Sequence, residues 1–298
     1  MAERKTIVYP NPEMLAQAVA ARTLLTIIDL LAEPERRRVD IAVTGGTDGN
    51  RVFAAMNASP LNDAVDWNRV HVWWGDERFV AADDDDRNAK QAREAWYGAL
   101  VEDGRMPAGN VHAMPADTRS ATEIASASPE QTDAVLAEAA AEYQRELAAQ
   151  LGENPALDIA MFGMGPDAHF ASLFPDHGES EIADPHVLVA GVRDSPKPPP
   201  LRLTLTVPMI ARSKHTWVFT SETRKANAVK TAFAQRNNPH APSSYADGEE
   251  LLWLIDSGAA SELRFSKQFP AAELNSDGKA PQCTMHYGAF PSERHTDG

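Results

Sequence analysis

The chain has 298 residues, 43% of them hydrophobic, enough to bury one large α/β core or two small ones. Its 43 acidic and 28 basic side chains give a formal charge of -15, which repels nucleic-acid backbones and anionic membrane surfaces and argues against both as partners. The single cysteine, Cys283, leaves no internal disulfide, no cysteine zinc cluster and no CxxC redox motif.

The opening Met1-Ala2-Glu3-Arg4-Lys5-Thr6 has no apolar signal-peptide core, and no run approaches the roughly 18 apolar residues that cross a bilayer, so a cytoplasmic chain is expected. Residues 6–9 read as a first strand, and Asn11-Pro12 as a cap and first-turn proline opening an amphipathic helix to about residue 31. A second strand at 39–43 runs into Thr44-Gly45-Gly46-Thr47-Asp48-Gly49, and a third at 70–74 ends at Gly75-Asp76-Glu77-Arg78. An Ala-rich helix at 131–151 precedes a strand from residue 157, which stops at Gly163-Met164-Gly165-Pro166-Asp167-Ala168-His169. Further strands are predicted at 187–192, 203–207, 216–219 and 251–255, with a helix carrying Arg224, Lys225 and Lys230 after the third of these. This alternation predicts an α/β fold with a mostly parallel sheet flanked by helices. Residues 1–264 are expected to form a single domain and 265–298 an irregular or disordered tail, where the periodicity fades.

Ligands of open parallel sheets bind outside the carboxyl ends of strands, and three of these ends carry unusual residues. His169, just past a buried strand, suits proton transfer on a water molecule; its bland reading is a packed or capping ring. Gly45, Gly46 and Thr47 open a helix whose free N–H groups suit a phosphate, although the segment also reads as a simple tight turn, and Asp48 adds an unfavourable charge. No P-loop or GxGxxG pattern is present, so nucleotide binding is unsupported. Arg78 either clamps an anionic or carbonyl oxygen or pairs with Asp76 or Glu77. Lys197, in a proline-stiffened loop, with Arg202 and Lys225, supplies the positive charge that a phosphate needs in an acidic protein, whereas Lys230 reads as a surface cation. The run Asp83 to Asp86 reads as a solvated loop rather than a metal site. There is no G-x-S-x-G elbow, and Ser172 shows no sign of activation as a nucleophile.

Taken together, these residues resemble the 6-phosphogluconolactonase family, which shares a modified Rossmann-like fold with the glucosamine-6-phosphate deaminases. The resemblance spans about 8–263. It is carried by Thr44-Gly45-Gly46, by Trp74-Gly75-Asp76-Glu77-Arg78 with Asn88, and by Gly163 to His169 leading into Ala171-Ser172-Leu173-Phe174-Pro175. Lys197-Pro198-Pro199 with Arg202-Leu203-Thr204-Leu205-Thr206, then Lys225 and Pro242-Ser243-Ser244, complete it. The family usually has Gly where this chain has Ala168, often Thr where it has Phe170, and Ser-Thr-Pro where it has Thr47-Asp48-Gly49; a Gly at positive φ would make Ala168 strained.

The resemblance implies hydrolysis of 6-phospho-D-glucono-1,5-lactone to 6-phosphogluconate in the oxidative pentose phosphate pathway, with neither metal nor organic cofactor. It also implies His169 as general base, Asp167 or Asp76 as its orienting acid, and Arg78 at the carbonyl or positioning substrate. Gly45, Gly46, Arg202 and Lys225, with Lys197 and Thr47, would then hold the phosphate. A sugar-phosphate lactone is the expected partner, and the chain is expected to be a monomer or weak oligomer. Two other readings use the same fold. One is an amino-sugar-phosphate deaminase, whose family typically follows the His with a segment ending Phe-Asn-Glu-Pro, unlike Ala171-Ser172-Leu173-Phe174-Pro175 here. The other is a non-catalytic sugar-phosphate-binding module; regulators of that kind need a DNA-binding segment, for which the few residues before the first strand leave no room.

Overall fold

The computed structural model describes residues 1–263, so the tail expected at 265–298 lies outside the described residues. Ten strands occur among them: β1 (Arg4–Tyr9), β2 (Val39–Val43), β3 (Val70–Trp74), β4 (Asp76–Arg78), β5 (Val111–His112), β6 (Ile159–Gly163), β7 (Val189–Val192), β8 (Arg202–Leu205), β9 (His215–Thr220) and β10 (Glu250–Asp256). The four helices longer than eight residues are α1 (Pro12–Ala32), α2 (Gly46–Ala58), α3 (Pro129–Leu151) and α4 (Ala226–Ala234).

Local chemistry sets the helix starts. The Asn11 side chain accepts the Met14 N–H with Pro12 in the first turn of α1, and Ser128 and Gln131 form a capping box at α3 with Pro129 just inside. Gly152, at φ 87°, closes α3. Seven strands form one wholly parallel sheet in the order β1-β10-β9-β6-β2-β3-β5. Every residue of β2 is buried, as expected of a central strand covered on both faces. Because all seven strands point the same way, their carboxyl ends share one edge, where β2, β3, β6 and β9 release the segments that carry the candidate site.

Strands β7 and β8, two of the further strands expected, form a separate antiparallel sheet with β4 in the order β4-β8-β7. Residues 76–78, at the end of the third predicted strand, are thus a short strand of their own paired with β8. Gly75 joins the two sheets, its N–H donating to Val43 and its carbonyl accepting from Leu205. The helix expected to hold Arg224 and Lys225 begins only at Ala226; those two residues form a preceding 3-10 turn.

No unbroken run of 18 apolar residues occurs in α1, which polar residues such as Arg22 and Asp29 interrupt, although its 21 residues include an 18-residue window of mean hydropathy 1.6 and are long and apolar enough to cross a membrane by length and composition. Here Val19, Leu24 and Ile27 are fully buried in the core while Met14 and Leu25 remain exposed, the distribution of a helix with one face packed against a sheet.

Candidate active site

The turn after β6 is drawn tight by two hydrogen bonds, from Gly165 N–H to the His169 carbonyl (3.0 Å) and from Ala168 N–H to the Gly165 carbonyl (3.0 Å). It folds the side chains of Asp167 and His169 back over the Gly165 backbone, and His169 Nδ1 lies 2.5 Å from Asp167 Oδ1. A Cβ at Gly165 would sit only 2.1 Å from His169 Cε1 and 2.5 Å from Asp167 Oδ1, so the turn leaves no room for one. Ala168, where the family usually has Gly, adopts φ 64°, a left-handed conformation that is strained for alanine. The imidazole rests against Phe174 at 4.9 Å between ring centres. Burial opposes the Asp167 charge, but His169 and Lys197 outweigh it and hold this carboxyl well below the ordinary carboxylate range.

His169 lines a cleft of about 300 Å³ together with Gly45, Gly46, Thr47, Asp76, Arg78, Lys197, Arg202 and Lys225. Asp167 reaches the cleft through its contacts with His169 and Lys197. The candidates therefore converge, although they are spread over about 180 positions of sequence.

Asp76 and Arg78 have different neighbours from those weighed in the sequence. The Asp76 carboxylate accepts the hydroxyl of fully buried Ser172 at 2.7 Å, while the ring partner of His169 is Asp167. Arg78 makes neither of the local ion pairs considered for it; its Nη1 donates to the Asp86 carbonyl at 2.6 Å. Arg202, only 4% exposed, is largely occupied in holding the proline loop, donating to the carbonyls of Lys197, Pro198 and Pro199. Burial and the nearby Arg78 charge lower its pKa to about 10. Buried Lys225 donates to Asp48 Oδ2 at 2.8 Å. Burial works against the Asp48 charge, yet Lys225 and Ser221 hold its carboxyl below the usual range. Asp48 is therefore the counter-ion of Lys225.

Glu77 and Asn88, which the sequence offers only as part of the motif that carries the resemblance, also contribute. Glu77 is fully buried, and its carboxylate accepts the backbone N–H groups of Arg78, Asn88 and Ala89, tying β4 to the helical run that starts at Asn88. Burial nonetheless raises its pKa, against the charge of Arg87 and those hydrogen bonds. Asn88 lies so close to Gly45 that a Cβ there would fall 1.9 Å from Asn88 Oδ1, which accounts for a glycine at that position. Among the described residues no group of three or more His, Cys, Asp or Glu side chains is placed to hold a metal ion.

The family model for glucosamine-6-phosphate isomerases/6-phosphogluconolactonase matches residues 10–253. The chain belongs to this family. It is 39% identical over 272 residues to the 6-phosphogluconolactonase of Streptomyces coelicolor, covering 89% of this chain and 97% of that one. It is 36% identical over 260 residues to the 6-phosphogluconolactonase of Mycobacterium tuberculosis, covering 86% and 97%. In fold it matches the 6-phosphogluconolactonase of Trypanosoma brucei with TM-score 0.73 at 24% identity, over 89% of this chain and all of that one. A monomeric glucosamine-6-phosphate deaminase shares the fold with TM-score 0.66 at 17% identity, over 86% and 99%.

Proposed function

We propose that this chain hydrolyses 6-phospho-D-glucono-1,5-lactone to 6-phosphogluconate, the ester-hydrolase reaction of the oxidative pentose phosphate pathway. The curated relatives that match nearly its full described length bear the name of that enzyme. The observation that carries the mechanism is the His169–Asp167 pair in a cleft with four cations, Arg78, Lys197, Arg202 and Lys225, in a protein of net charge -15.

Asp167 fixes the imidazole by accepting its Nδ1–H, which leaves the Nε2 lone pair for a water molecule. As His169 takes the water proton, the hydroxide oxygen bonds to the lactone carbonyl carbon and the carbonyl oxygen becomes an oxyanion. Collapse of that intermediate breaks the bond to the ring oxygen, which receives the proton from the imidazolium. The Arg78 guanidinium is the donor for the oxyanion, and the charge of Asp167 stabilises the imidazolium between the two proton transfers. The phosphate is held by Lys225, Lys197 and the N–H groups of Gly45 and Gly46 at the start of α2, with the Thr47 hydroxyl beside them and Arg202 stiffening the loop that presents Lys197. Residues 1–264 make up this catalytic unit, acting in the cytoplasm as a monomer or weak oligomer.

The test follows loss of lactone generated in situ, with wild type, His169→Ala and no enzyme compared side by side, because the lactone also hydrolyses spontaneously. Rapid loss with wild type alone is expected. Wild type matching the blank, or ammonia release from glucosamine 6-phosphate, would overturn the reading.

A further inference from the structure

Three polar atoms meet at the candidate dyad where two would make a complete hydrogen bond. Asp167 Oδ1 lies 2.5 Å from His169 Nδ1 and 3.1 Å from Lys197 Nζ, and that same Nζ lies 3.0 Å from Nδ1. An uncharged imidazole nitrogen carries either a proton or a lone pair. With a proton on Nδ1, the ring donates to Asp167, Nε2 is a free base, and the Lys197 ammonium is left facing another donor. With a lone pair on Nδ1, Lys197 donates to it, and Nε2 holds a proton and cannot accept one from water. A lone pair on Nδ1 would also face Asp167 Oδ1 at 2.5 Å, so the carboxylate holds the proton on Nδ1, and the ammonium in this position competes for that carboxylate and weakens its hold on the basic tautomer.

The same ammonium is free to leave. The backbone of Lys197 is held by hydrogen bonds from Ser195 and Arg202 to its carbonyl, but the side chain is 37% exposed on a flexible four-carbon stem. Burial lowers the Lys197 pKa, Asp167 opposes this, and the charges of Lys225 and Arg202 lower it further. These three cations repel one another across the cleft, and an arriving dianion converts that repulsion into attraction.

We infer that Lys197 is a latch on the His169–Asp167 pair, held on Asp167 Oδ1 in the empty cleft and drawn off by the substrate phosphate, so that phosphate binding also frees Asp167 to hold His169 fully in its basic tautomer. This rests on the lactonase reading. Lys197 is then a positioning residue acting through His169, and phosphate raises the rate of the chemical step as well as affinity.

The experiment separates phosphate from the reacting ring, using unphosphorylated glucono-1,5-lactone with and without phosphite dianion on the full chain. Wild type is expected to turn over at least about 10-fold faster at saturating phosphite. Lys197→Met is expected to turn over faster than wild type without phosphite and to gain less than about 2-fold from it. Lys225→Met is expected to need more phosphite for the same maximal gain. In parallel, nitrogen NMR of histidine-labelled protein, with His169 assigned by its loss in His169→Gln, should move toward the Nδ1–H tautomer on phosphite addition in wild type. Lys197→Met should show that tautomer from the start. Equal activation of Lys197→Met and wild type, or tautomer signals that phosphite does not move, would overturn the latch. Failure of wild type on the phosphorylated lactone would overturn the lactonase reading alone, with the tautomer titration still deciding the latch.

Discussion

Replacing Gly165 by Ala should separate catalysis from folding. The added Cβ would lie 2.1 Å from Cε1 and 2.2 Å from Nδ1 of His169, and 2.5 Å from Asp167 Oδ1, where ordinary contact begins at 3.4 Å. The ring must therefore move by more than about 1 Å, and misplacement on that scale costs on the order of 100-fold in rate, or about 2.7 kcal/mol of transition-state stabilisation. The backbone itself accepts alanine, because Gly165 is not among the residues at positive φ. Fewer unfolded conformations for alanine offset part of the local cost, so Tm should stay within about 4 °C of wild type. Gly163→Ala, two residues earlier, is the control: its Cβ meets only Thr44 Cγ2 at 4.0 Å, and kcat should remain within about 3-fold of wild type. The assay is kcat on lactone generated in situ, with thermal melts of all three proteins. If Gly165→Ala kept kcat within about 3-fold of wild type, the His169 position over the Gly165 backbone would not be the one that performs the chemistry.

Other perturbations probe what supports the cleft. Asp48→Asn removes the counter-ion of buried Lys225 and a partner of Ser221, so urea titration at pH 7 should show a loss of about 3 kcal/mol; unchanged stability would mean that the pair is not coupled. Ala168→Val places a β-branched side chain at φ 64° and should cost at least about 1 kcal/mol in the same titration, while Ala168→Gly should not fall below wild type by more than about 0.5 kcal/mol. His71, hydrogen-bonded to His112 at 2.9 Å, has its pKa lowered to about 4 by burial and by Arg38. Between that value and the unfolded pKa of about 6.5 the unfolded chain binds the extra proton, so His71 should make stability fall as pH drops through this window. Melts from pH 7 to pH 4.5 should be less pH-dependent in His71→Asn, and identical slopes would refute the assignment.

Much of the candidate site was legible because its chemistry is local. Asn11-Pro12 and Ser128-Pro129 announce helix starts, and the apolar runs at β2 and β3 end where glycines begin. The Asp167-Ala168-His169 spacing already contains the dyad, since one turn brings both side chains onto Gly165. Strain at Ala168 followed from the same segment once its φ was known. The short β4 and β5 carried too little apolar pattern to be seen, at three and two residues.

The sequence by itself determined the α/β alternation, the strand ends that carry polar residues, and the shortlist of groups capable of the chemistry, because propensity, capping and turn formation act over a few residues. Only the tertiary structure decided which of those groups meet. Asp76 found Ser172 across 96 positions and left His169 to Asp167; Lys225 found Asp48 across 177; Lys197 reached the dyad across 30 from the loop between β7 and β8 of the antiparallel sheet. Such pairings depend on the strand order β1-β10-β9-β6-β2-β3-β5 and on the rotamers that packing selects. That order is set by burying the whole core at once, a sum over contacts distant in sequence that no local window contains.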